Sequence, residues 1–99
     1  AVAQVAFKTA ERELQQRLQT LQGELAVVTQ SLRLTDEQVA LDRQQWEMAG
    51  TAFEVGEVTL FQVLTALRQS HTSVREHELL KLRRESLVAQ INQTVGVLP

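Results

Sequence analysis

The chain has 99 residues, with 10 Lys or Arg against 12 Asp or Glu and a formal net charge of −2, which leaves room for one domain and offers no basic footprint for nucleic acid. Hydrophobic residues make up 43% and aromatics 4%, with one proline and no cysteine. A mostly helical folded chain is therefore expected, while a disulfide framework and thiolate metal sites are excluded.

The first segment, from about residue 1 to residue 54, contains no proline. Leu14, Leu18, Leu21, Leu25, Val28 and Leu32 alternate steps of four and three, the pattern of a coiled-coil seam. Beyond Leu32 one seam position continues as Val39, Trp46 and Phe53, while the other becomes Thr35, Asp42 and Ala49. Half of the seam thus turns polar towards its end. Gly23 costs roughly 1 kcal/mol relative to alanine in a helix interior. Thr35-Asp36-Glu37-Gln38 has the form of a helix start, but the seven-residue step from Leu32 to Val39 passes through it unshifted. One continuous helix of ~50 residues, ~75 Å long, is expected. The sequence opens within this helical pattern, with no signal-peptide pattern and no apolar run near the length of a membrane span; a piece of a larger protein would look like this.

Residues 55–58 read as a tight turn. Gly56 follows a helical pattern and can take a positive φ without a Cβ penalty, which suits the position just past a helix end. Thr59 and Gln62 have the spacing of a capping box, and Val58 and Val63 that of a hydrophobic staple. The second helix then runs from about 59 to 95 and stops before Gly96, with Pro99 beyond. A short link between two long helices implies antiparallel neighbours. The expected fold is all-α, a single antiparallel two-helix coiled-coil hairpin over 1–99.

The second helix's seam is read as Leu60, Leu67, Val74, Val88 and Val95, with Leu64 beside it. Facing Phe53 with Leu60 then pairs Trp46 with Leu67, Val39 with Val74, Leu25 with Val88 and Leu18 with Val95. Only Leu32 meets a polar residue, Lys81, whose stem can pack beside Leu80 and Leu82. The same register sets Ala49 by Leu64, Thr35 near Glu78, and Asp42 by His71 as a polar layer that fixes register. A pH-sensitive contact at this histidine is the sharper version of that expectation, whereas His77 is expected to be solvated. Leu34, Leu41, Leu79 and Leu87 widen the apolar surface, as in helices with neighbours on several sides. Val2, Val5 and Phe7 have no counterpart in the hairpin and require other cover. Two helices alone bury a limited fraction of their surface, so self-association is expected.

No site chemistry emerges. Neither histidine has a histidine or carboxylate at the spacing that places two ligands on one helical face. Lys81, Arg83 and Arg84 lie among Glu76, Glu78 and Glu85, a solvated salt-bridged face. No nucleophile and base, phosphate-cradling loop or concave pocket is suggested, so neither enzyme activity nor a cofactor is expected.

The stretch FEVGEVTLFQVLTALRQ resembles the recurring motif of TolC-like outer-membrane factors: an aromatic (Phe53), a glycine (Gly56), a short link, then a Val-Leu-x-Ala helix start (Val63, Leu64, Thr65, Ala66). The closing INQTVGVLP is similar to the end of one of that family's helical repeats. The resemblance implies one periplasmic hairpin of a trimeric outer-membrane channel in a Gram-negative cell, part of a long α-barrel. It would be a passive conduit that docks a periplasmic adaptor and is served indirectly by an inner-membrane pump. Phe53, Val55, Gly56, Glu57 and Val58 would form the adaptor-docking tip, and Gln62 and Thr65 would line the pore entrance. Many members carry an acidic residue at the position of Gln62 and an acidic or polar one at that of Thr65, and some a basic residue at that of Val58, so an entrance gate of charge pairs is not carried over. The turn and the ending lean towards the second repeat and towards metal-cation efflux members. The alternative reading is a self-standing coiled-coil scaffold or adaptor-type hairpin; a nucleic-acid-binding helical arm would require a basic stripe that this chain lacks.

Overall fold

The computed structural model describes residues 2–97; Ala1 and the Leu98-Pro99 end of the last motif lie outside them. Two helices, α1 (Val2–Glu54) and α2 (Leu60–Val97), form an antiparallel hairpin, with no strand among the described residues. α1 crosses Gly23, the Thr35 motif and Gly50 without a break. Its leucine, alanine, glutamate, glutamine and arginine content favours helix throughout. α2 continues two residues beyond the expected stop at 95. Gly96 has no positive φ and so ends nothing; glycine marks a helix end only where the backbone turns left-handed.

Contacts divide the chain into two compact units: the described residues of Ala1–Thr29 with Leu82–Pro99, and Gln30–Lys81. In the first, Leu21, Val28, Leu87 and Thr94 are buried, and Leu14, Leu18, Leu25 and Ile91 half-buried. Leu87 is fully closed off, at 0% exposure, and burying a leucine contributes about 1.5–3 kcal/mol. The Thr94 hydroxyl is satisfied by donating to the Gln90 carbonyl at 2.8 Å. At the surface Arg83 pairs with Glu24 at 3.0 Å.

In the second unit every buried side chain is polar: Asp42, Ser70 and Ser73. Leu32, Val39, Ala49, Val63, Ala66, Leu67 and Leu80 are half-buried around them.

The inner face of α2 corrects the expected register. It carries Ala66, Ser70, Ser73, His77, Leu80, Leu87, Ile91 and Thr94. Leu60, Leu64, Val74, Val88 and Val95 lie on the exposed side, and Leu87, expected off the seam, is at its centre. In α1 the expected seam holds through Val39, but Trp46 sits at its rim and Phe53 outside it, at 36% and 43% exposure. The buried carboxylate of Asp42 fits this face: it needs hydrogen-bond donors opposite it, and Ser73 and Gln69 of α2 supply them.

Candidate functional site: the tip and its polar layer

The turn is built from two interlocking caps. Gly56 has φ 77°; its N–H donates to the Phe53 carbonyl at 3.0 Å, and that of Glu57 to Ala52 at 2.9 Å. These two bonds make a Schellman motif that closes the last carbonyls of α1. On the other side the Thr59 N–H donates to Gln62 Oε1 at 2.8 Å and the Gln62 N–H to Thr59 Oγ1 at 3.2 Å, the reciprocal capping box. Val58 and Val63, the staple positions, are half-buried. Both helix ends are thereby fixed by local chemistry.

On this turn large apolar side chains face outwards. Val55 is 67% and Phe61 75% exposed, and Phe53, Leu60 and Leu64 are exposed with them. Glu57 is exposed and Val58 half-buried. A shallow groove behind the turn is lined by Gln44, Glu47, Met48, Thr51, Ala52, Val55 and Glu57. Another, on α2, is lined by Leu64, Leu67, Arg68 and His71. Gln62 and Thr65 are exposed, and their polar atoms are engaged within the helix start: Gln62 in the capping box, and Thr65 Oγ1 donating to the Phe61 carbonyl at 2.9 Å.

In the same unit Asp42, 3% exposed, accepts from the Ser73 hydroxyl, from Gln38 Nε2 at 2.8 Å and from Gln69 Nε2 at 3.5 Å. The Ser73 hydroxyl also lies 3.1 Å from the Gln69 carbonyl; with one proton to give, it favours the charged acceptor. The Ser73 bond is the main reason the Asp42 carboxyl sits below its ordinary value of 3.8, helped by the two glutamine amides and opposed by burial. Among the described residues no lysine or arginine pairs with it; three neutral donors stabilise its charge. Among the described residues no buried side-chain polar atom lacks a partner.

His71, expected against Asp42, is exposed. His77, expected in solvent, is half-buried, with Nδ1 2.9 Å from Thr35 Oγ1. That hydroxyl also lies 3.2 Å from the Leu32 carbonyl; when its proton goes there, His77 Nδ1–H is the donor to Thr35. Lys81 stays exposed and pairs with Glu78 at 3.3 Å.

Among the described residues no three of His, Cys, Asp or Glu gather as metal ligands, and no helix is long and apolar enough to cross a membrane. Comparison with known protein families, curated proteins and solved structures finds no match.

Proposed function

We propose that this chain is a periplasmic hairpin of a TolC-like outer-membrane efflux or secretion channel, and that its tip docks the hairpin of a periplasmic adaptor. The observation that carries the reading is the apolar tip: Phe53, Val55 and Phe61 are exposed on a turn whose two ends are both capped. A loop held in one conformation loses little entropy on binding, and exposed aromatic and aliphatic side chains are the groups that gain most from burial. The motif resemblance around Gly56 supplies the class of partner. The conduit is passive, with the energy supplied by an inner-membrane partner; Gln62 and Thr65 add no charge at the entrance, so no carboxylate ring selects cations there. The lean towards metal-cation efflux rests on sequence resemblance alone.

The test is binding of the wild-type chain, Val55→Asp and Gly56→Trp to candidate adaptor hairpins, with circular dichroism to verify intact helices. Binding lost in both variants supports tip docking. Variants that bind as well as wild type would exclude docking through the tip. A chain that binds no adaptor and forms a discrete oligomer would favour the coiled-coil scaffold.

A further inference from the structure

The outward face of α2 changes character along its length. From the turn, Leu60, Leu64 and Leu67 follow steps of four and three, and Arg68, His71 and Arg75 continue the same face. Leu67 is half-buried and the other five are exposed. The stripe is therefore apolar at the turn end and cationic at the other, over ~22 Å.

Its two arginines have no carboxylate to hold. Between Leu60 and Arg75 α2 carries none, and Glu78, at the far end of the stripe, is taken by Lys81 at 3.3 Å. Arg43 is paired with Glu47 and Arg83 with Glu24, whereas among the described residues neither Arg68 nor Arg75 has an ion-pair partner. Across the seam Asp42 is buried and occupied by Ser73, Gln38 and Gln69. A guanidinium presents its donors in a rigid fork that matches a carboxylate or a phosphate. The two forks start two helical turns apart, ~11 Å, with the His71 ring, which carries an N–H donor in either tautomer, between them.

Where the apolar and cationic halves meet, Leu64, Leu67, Arg68 and His71 line a shallow groove of about 260 Å³. Drug-sized sites take about 300–1,000 Å³, so this one suits a small ligand. A cation would meet like charge at Arg68 and Arg75, and a neutral apolar molecule would leave both guanidiniums unused. The complementary ligand is apolar at one end and negative at the other.

We propose that this groove binds a small amphipathic organic anion, its carboxylate or phosphate head held by Arg68, His71 and Arg75 and its tail laid along Leu67, Leu64 and Leu60 towards the turn. The site is built on one helix of one chain, and it does not depend on what the tip binds.

Titration of the full chain with sodium decanoate, kept below its micelle concentration and followed by amide chemical shifts, tests this. Decyltrimethylammonium supplies the same kind of tail with the opposite charge, and acetate supplies the head without the tail. Decanoate should shift the amides from Leu64 to Arg75 saturably, and each of the other two should bind at least about tenfold more weakly. Arg68→Gln/Arg75→Gln should weaken decanoate by about tenfold or more, the effect of losing a charge-assisted contact. Arg83→Gln, at a paired arginine of the other unit, should leave it unchanged. Both variants alter exposed positions, and circular dichroism verifies their helices. Equal binding of decanoate and decyltrimethylammonium would reduce the groove to apolar adsorption and overturn the proposal. Shifts centred on Phe53, Val55 and Phe61 would overturn it as well. Vesicles of phosphatidylcholine with phosphatidylglycerol complete the test: a chain that sediments with them but ignores free decanoate would make the stripe a membrane contact, which also overturns it.

Discussion

The two units of this hairpin are closed by different chemistry. Among the described residues of Ala1–Thr29 with Leu82–Pro99, the buried side chains are Leu21, Val28 and Leu87, together with Thr94; in Gln30–Lys81 they are Asp42, Ser70 and Ser73. Apolar burial is strong but non-directional, so a leucine seam stabilises helices without discriminating sharply between neighbouring registers. A carboxylate held by Ser73, Gln38 and Gln69 contributes little net stability, yet a shifted register takes away Ser73 and Gln69, its two donors from α2. The unit that contains the turn is thus the one whose alignment is specified by hydrogen bonds, and several of its large apolar side chains, Phe53, Val55, Leu60 and Phe61 among them, face outwards.

The largest expected effect lies in the apolar unit. Leu87→Ala empties a fully buried position and should cost about 2–5 kcal/mol in urea unfolding. Leu80→Ala, at a half-buried position of the other unit, should cost clearly less; a reversed order would break the contrast.

Asp42→Ala comes next. It removes hydrogen bonds to a charged acceptor, at about 1.5–3 kcal/mol, while the Ser73 hydroxyl can still donate to the Gln69 carbonyl. Acid sharpens the same point. Because the Asp42 carboxyl is lowered in the folded chain, its contribution is present above the ordinary value and is lost as pH falls through the folded value. Asp42→Asn should therefore flatten the loss of stability seen on acidification below about pH 4. An unchanged acid limb would mean that other carboxylates dominate it.

Gly56→Ala should be smaller, about 1–2 kcal/mol, the cost of a left-handed backbone for an L-residue. Open space surrounds the site, so backbone strain alone sets it. Arg83→Ala removes an exposed pair with Glu24 and should change stability by less than about 1 kcal/mol, an effect that salt erases.

Local chemistry was the most legible part of the sequence. Gly56, Thr59 and Gln62 announce the turn because capping depends on residues within a few positions of one another. The α1 seam as far as Val39 was legible for a similar reason, since its leucines and its inward face coincide. In α2 they part. Val74, Val88 and Val95 make the more apolar stripe but face outwards, whereas Ser73, Leu87 and Thr94, each one position earlier, face in. Hydrophobicity alone selects the wrong stripe there. The signal that could have chosen the right one is the unpaired charge of Asp42, which demands donors across the seam, and Ser73 and Gln69 meet that demand where Val74 cannot. The exposed tip residues were legible as a turn, but their outward aromatic and aliphatic surface became visible only once Phe53 was found outside the seam.

The most direct test of the account is site-specific photo-crosslinking of the chain to an adaptor hairpin, with the cross-linker placed in turn at Val55, on the tip, and at Gln93, an exposed position of the apolar unit. Tip docking predicts an adduct from position 55 that is lost when Gly56→Trp is added, and none from position 93. Equal adducts from both positions, or an adduct only from position 93, would contradict it.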